Sequence, residues 1–232
     1  MAQKVFLISA VRTPIGAFQG AFSALSATQL GSRAIAEAVL RAGLQRDQID
    51  EVLMGNVLSA GLGQAPARQA ALGSGLPDRV PCTTINKVCG SGLKAVMMGA
   101  QAIALGEADT IVAGGMESMT NAPYLLDRAR SGYRLGHGTL IDSILKDGLW
   151  DVYNDFHMGS AAEQCAEEYQ LSRAEMDDFA VESYRRAQEA QQRNEFKREI
   201  VPIEISGRKG VTLFSEDEEP KRIDFEIGRA HV

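Results

Sequence analysis

Along the first half of the chain, the spacing of apolar positions alternates between strand-like and helix-like stretches. Lys4 to Val11 is an apolar run of strand length, closed by an Arg-Thr-Pro break. Ser26-Ala-Thr-Gln29 has capping-box spacing, and Leu30, Ala34, Ile35, Ala38 and Val39 share one face of the helix it opens. Gly43 is placed to end that helix. Glu51 to Leu58 reads as a second strand, Pro66 to Leu72 as a short helix, and Val80 to Val88 as a third strand. Gly90 to Leu105 follows as a helix rich in small residues, and Asp109 to Ala113 as a fourth strand closed by Gly114-Gly115. Strands alternating with helices predict parallel pairing with helices on both faces of a sheet.

The second half has a different texture. Asp127 to Gly138 has no clear period and reads as an extended loop. Ser160-Ala-Ala-Glu163 and Ser172-Arg-Ala-Glu175 both match the capping box, and the second opens a long helix with Met176, Phe179, Ser183, Ala187 and Ala190 at helical spacing. Glu199 to Ser206 and Val211 to Phe214 form a predicted hairpin around Gly207-Arg208-Lys209-Gly210. The acidic run Glu216-Asp-Glu-Glu219 reads as a solvated loop.

Composition sharpens this division. The chain has 232 residues, 45% of them hydrophobic, enough to bury a core in one large or two modest domains. Residues 1–120 hold 9 Lys+Arg and 8 Asp+Glu, while 121–232 hold 15 and 22, and 15 of the 23 glycines precede residue 121. A boundary near Asn121-Ala122-Pro123 follows. The net charge of −6, with no basic run, argues against nucleic acid or an anionic membrane as partner. Three cysteines without a CxxC pair suggest neither a zinc site nor a disulfide framework. No signal peptide is read at the N-terminus, and Gly92 to Leu105, carrying Lys94 and Gln101, falls short of the ~20 apolar residues of a membrane span. A cytoplasmic protein is expected.

Asn86-Lys-Val-Cys89-Gly-Ser-Gly92-Leu carries the most chemistry. A cysteine between a strand and a helix meets the unpartnered N–H groups and positive dipole end of the helix, both of which favour thiolate over thiol and make Cys89 a candidate nucleophile. Packing as a small hydrophobe is the competing reading. Gly90-Ser-Gly92-Leu-Lys-Ala95 also satisfies the G-x-G-x-x-A dinucleotide fingerprint, with Glu107 and Asp109 downstream. Against that reading, at least two strands precede it, and a dinucleotide site has no use for the cysteine. Cys82 and Cys165 read as packed residues, His157 as a local contact before a helix with the option of binding a ligand, and His137 as loop.

Val11-Arg-Thr-Pro-Ile-Gly16, the Cys89 segment, Ala113-Gly-Gly-Met-Glu-Ser118, Lys146-Asp-Gly-Leu149 and Phe156-His-Met-Gly159 together resemble the N-terminal part of the thiolases, most nearly the acetyl-CoA acetyltransferases, over residues 4 to about 226. The resemblance implies a layered α/β core over 1–120 with an inserted α+β loop domain over 121–226. By the same resemblance, Cys89 is acylated by one acetyl-CoA, and a second condenses with it to give acetoacetyl-CoA. Leu149, His157 and Met158 match positions lining the pantetheine and acetyl pocket, where Met158 would limit acyl length. Tyr184, Arg222, Ile223 and Asp224 match positions holding the nucleotide end of coenzyme A, and Tyr184 matches one that borders a potassium site. Residues 127–138 resemble a tetramerisation loop. No tightly bound cofactor is expected beyond the thioester substrate and potassium.

The family's Gly-His-Pro histidine and Cys-x-Gly-Gly-Gly cysteine, its general base and second acid/base, do not occur in this sequence. A truncated, inactive chain without the C-terminal thiolase domain is expected. Ile227-Gly-Arg-Ala-His-Val232 departs from the family pattern and matches the translation of a common sequencing-library adapter, so 227–232 is expected to be a non-native tail and His231 is given no role. The alternatives are a dinucleotide-binding domain using Gly90 and Gly92, and a non-catalytic acyl-CoA-binding or assembly module.

Overall fold

A computed structural model describes residues 4–207 and 210–223. Asp224 and the expected tail lie outside the described residues. Backbone contacts divide the chain into two units, Met1–Ala10 with Ser23–Trp150 and Val11–Phe22 with Asp151–Val232. This division differs from the charge boundary near residue 121. The segment after it is tied to the first unit by the close approaches of Pro123 to Gly61 and of Gly148 to Leu58.

In the first unit, α1 (Ala27–Arg41) begins at the predicted capping box: Ser26 Oγ accepts from Gln29 N, and Gln29 Oε1 accepts from Ser26 N. Gly43, at φ +70, follows its end as expected. The central strand β1 (Glu51–Gly55) pairs in parallel with β2 (Cys82–Ile85) and β3 (Ile111–Gly115), and α2 (Pro66–Gly73) joins β1 to β2. Val52 and Met54 face a core made with Ile35 and Val39 of α1 and Ala67, Ala70 and Ala71 of α2. The other face of the sheet meets α3 (Ser91–Leu105), where Gly99 lies over Ile111 and Ala113. Helices on both faces of a parallel sheet are therefore present.

Several local expectations need correcting. No strand forms over Lys4–Val11 among the described residues: Phe6, Leu7 and Ile8 are 73%, 83% and 61% exposed. Strands β1 and β2 are shorter than expected, and β3 is shifted two residues onward, so that Gly114 and Gly115 belong to it instead of closing it. Val88–Leu105 reaches a mean hydropathy of 1.4, long and apolar enough by composition to cross a membrane. In this fold it lies on β1 and β3 through its small buried face of Ser91, Ala95 and Gly99. Short strands β4 (Tyr124–Leu125) and β5 (Ile141–Asp142) pair antiparallel across the 127–138 loop, which has no helix or strand, as expected.

After β6 (Trp150–Asp151) and β7 (Phe156–His157), α4 (Met158–Glu168) starts two residues before the predicted box, because the His157 ring caps it. Ser160 thus lies inside the helix. The Ser172 box opens α5 (Arg173–Gln192) as predicted. Ala190 of the predicted face is buried, but Phe179 is 78% exposed, and Tyr184, Gln188 and Gln191 bond to Glu219, Pro220 and Asp217. The predicted hairpin is β8 (Ile203–Gly207) against β9 (Gly210–Phe214).

The acidic run is not the solvated loop expected. Asp217 is 5% exposed; its carboxylate accepts from Arg12 Nη1 and Nη2 at 2.7 and 3.0 Å and from Ile15 N at 2.7 Å. Glu218 accepts from the backbone N–H groups of Ala17 and Ala21. Arg12 also donates from Nε to Glu199 at 2.6 Å, and its backbone bonds to Glu199 and Val201. These bonds hold residues 11–22 within the second unit.

Candidate active site

Cys89 is exposed, one residue before the N-cap of α3, and lines a cavity of about 440 Å³ within the first unit. That volume is in the range of small-molecule pockets. Leu149, the second sequence-predicted residue in this unit, lines the same cavity, together with apolar Leu58, Met119 and Ile144. The arrangement offers a nucleophilic sulfur at a helix N-terminus beside an apolar chamber.

The sequence reading missed several residues that build this cavity. A Cβ at Gly55 would come within 2.6 Å of the Ser91 carbonyl carbon and 2.7 Å of Gly92 N, so only glycine lets β1 end against the start of α3. Gly92 in turn lies against Gly115, where a Cβ would sit 3.3 Å from the Gly92 Cα. Small residues in the Gly90-Ser-Gly92 segment are thus used for close strand–helix packing. The available signal was a glycine inside the predicted strand Glu51 to Leu58, where an isolated glycine marks a close backbone approach.

Glu117 and Asn56 supply polar groups in the lining. Glu117 Oε1 accepts from Asn56 Nδ2 at 2.8 Å and Leu58 N at 3.2 Å, and Oε2 accepts from Val57 N at 2.8 Å. Asn56, 2% exposed, also donates to the Met116 carbonyl at 3.2 Å. These bonds tie the loop after β1 to the loop after β3. Burial pushes the Glu117 carboxyl above its ordinary value, against the opposing effect of the Val57 and Leu58 N–H bonds.

The remaining predicted residues belong to the second unit. His157 accepts from Gly159 N at Nδ1, 2.9 Å, so its ring is engaged as a helix cap; Met158 begins α4 and is 41% exposed. Tyr184 Oη donates to Glu219 Oε1 at 3.3 Å, and burial, then Glu219, raises its hydroxyl above the usual value. Arg222 faces the same carboxylate at 3.8 Å. Glu219 therefore brings Tyr184 and Arg222 together. Ile223 is half-buried, and Asp224 lies outside the described residues.

Of the other cysteines, Cys82 is half-buried, with burial pushing its thiol up and Sγ donating to the Val80 carbonyl at 3.3 Å. Cys165 is exposed, contrary to expectation, because Ala166 is the buried residue of α4. His137 sits in the exposed loop. Among the described residues, no group of three or more His, Cys, Asp or Glu could hold a metal ion.

Comparison with known proteins places this geometry. The family description "Thiolase, N-terminal domain" matches residues 5–226. Acetyl-CoA acetyltransferase 2 of Arabidopsis thaliana is 56% identical over 216 residues, 92% of this chain and 54% of that protein. The mitochondrial acetyl-CoA acetyltransferase of Homo sapiens is 50% identical over 225 residues, 96% and 52% of the two chains. The crystal structure of the Acat5 thiolase from Ascaris suum in complex with coenzyme A is similar with a TM-score of 0.90 at 42% identity, covering 97% of this chain and 57% of that one. The chain spans about half the length of the curated relatives it matches.

Proposed function

The chain belongs to the thiolase family, and we propose that it carries the nucleophile half of an acetyl-CoA C-acetyltransferase. The observation that carries this is the exposed Cys89 thiol at the start of α3, opening on the apolar cavity it shares with Leu149. Cys89 Sγ attacks the thioester carbon of acetyl-CoA, the CoA thiolate leaves, and acetyl-Cys89 remains. The carbanion of a second acetyl-CoA, its α-proton having passed to a base, then attacks the acetyl carbon. Acetoacetyl-CoA forms and the Cys89 thiolate is released; thiolysis is the reverse.

In this reading His157 and Met158 contribute to the pantetheine and acetyl pocket, with Met158 limiting acyl length. Tyr184, Arg222, Ile223 and Asp224 hold the nucleotide end of coenzyme A, and Arg222 supplies a planar donor for a phosphate or the adenine ring. Tyr184 also borders the proposed potassium site. The loop 127–138, with Tyr133 and Leu135 exposed, is the proposed contact between copies in a tetramer.

The 232-residue chain incubated with acetyl-CoA should acquire acetyl on Cys89 in preference to the exposed Cys165, as read by peptide mass spectrometry. It should form no measurable acetoacetyl-CoA, because its sequence holds neither the Gly-His-Pro nor the Cys-x-Gly-Gly-Gly motif. Acetylation spread equally over both thiols would refute the assignment of Cys89. Turnover by this chain would refute the need for those motifs.

A further inference from the structure

Val88, the residue before Cys89, has φ +47. It is the sole β-branched residue among the described non-glycine residues with positive φ, and a β-branched side chain is strained in that region. Such a conformation persists only where the surroundings over-determine it. Packing of the Val88 side chain does not do so, since the residue is 49% exposed. The turn itself does. Ser91 Oγ donates to the Val88 carbonyl at 2.6 Å and accepts from Lys87 N at 2.8 Å, while Asn86 Oδ1 accepts from Val88 N at 2.9 Å. Ser91 N bonds the same Val88 carbonyl at 3.1 Å. Ser91 is 4% exposed, and a Cβ at Gly55 would come 2.7 Å from its own Cβ, so its hydroxyl is fixed from behind by β1.

We infer that Ser91 is a positioning residue for Cys89: its hydroxyl clamps the Lys87–Val88 turn, holding Val88 left-handed, and that turn delivers the thiol from β2 to the start of α3. The inference rests on Cys89 being the nucleophile of the proposed reaction. Ser91 touches no reacting atom; it acts through the backbone on either side of Val88. If Val88 is strained and Ser91 restrains it, the two residues must be energetically coupled. Glycine at 88 adopts positive φ without strain and leaves the hydroxyl less to hold.

The test compares two alkylating probes on the 232-residue chain. In each, Cys89 Sγ displaces a halide and forms a thioether. Bromoacetyl-pantetheine presents its carbon on a thioester chain that must seat in the cavity; iodoacetamide needs only access. Labelling of Cys89 is followed by mass spectrometry, with Cys165 as internal reference. Ser91→Ala should lower the ratio of pantetheine-borne to free labelling at Cys89 about tenfold, as a misplaced nucleophile does. Asn86→Ala, which removes only the exposed contact, should lower it less. In the Val88→Gly background, Ser91→Ala should cost less in this ratio, and its loss in Tm should be smaller by roughly 3 °C than in the parent. An unchanged labelling ratio in Ser91→Ala overturns the inference. So do equal Tm losses in the two backgrounds, whichever way labelling falls. A parent chain showing no preference for the pantetheine-borne probe would instead refute the proposed thioester site, and the Tm cycle would still decide whether Ser91 holds Val88.

Discussion

The core of the first unit is held by apolar burial, whereas in the second unit the chain around Asp217 is held by charge and hydrogen bonds. In the first unit Ile35, Val39, Val52, Met54 and the alanines of α2 close one cluster between helices and sheet. In the second, Arg12, Ile15, Ala17 and Ala21 are fastened to Asp217 and Glu218 across about 200 residues of sequence. The carboxylates differ in the same sense. Burial raises Glu117 in the first unit, while partners lower Glu175 and Glu182 in the second. Apolar packing follows from local periodicity, but a polar clasp depends on which distant residues meet.

The largest effect expected from breaking this contrast is at Asp217. Asp217→Ala leaves the Arg12 guanidinium with Glu199 as its remaining carboxylate and the Ile15 N–H without its acceptor, three charge-assisted bonds lost, and should cost about 3–5 kcal/mol. Hydrogen exchange should quicken at amides of residues 11–22 and 199–201 while those of β1 keep their protection. Loss of β1 protection as well would show that the units do not unfold separately. Ile35→Ala is the converse, a cavity in the apolar cluster costing about 2–4 kcal/mol. It should quicken exchange in β1 and α2 and spare α5.

The smallest effect is a difference in sign with pH. The Ser172 hydroxyl and N–H hold Glu175 below the ordinary carboxylate range, so its contribution is present above that range and lost as pH falls through its lowered value. Glu117 is raised by burial; its contribution is full below the ordinary range and lost as pH rises through its raised value. In melts between about pH 7 and 3, the parent should therefore lose stability relative to Glu175→Gln as pH falls, and gain relative to Glu117→Gln. Slopes of the same sign would remove the electrostatic half of the comparison.

How much of this was legible in the sequence follows the same divide. The boxes at Ser26 and Ser172 and the turn holding Cys89 are set by neighbours a few residues apart, and the α/β alternation by the periodicity within each element; these were readable, although the Ser160 box lost to the His157 cap. Leu149 was reached through motif resemblance and shares the Cys89 cavity. The clasp at Asp217 was not readable, because four acidic residues in a row look the same whether they face water or an arginine 205 positions away. The packed face of α5 was read in part: Ala190 is buried as predicted, but Phe179 is exposed, and Tyr184, Gln188 and Gln191 pack through hydrogen bonds, which hydrophobic periodicity does not register. Gly55 and Glu117 lay in plain view, but their roles come from parallel strands ending side by side.

The separation of 205 residues between Arg12 and Asp217 also has a meaning in time. A ribosome adding about 5–20 residues per second finishes Arg12 roughly 10–40 s before it reaches Asp217. During that interval β1, β2, β3 and the cavity around Cys89 have all of their sequence available, while residues 11–22 have yet to meet the carboxylates that hold them. The surroundings of Cys89 can thus be assembled early in synthesis, and the second unit must wait for the acidic run to close.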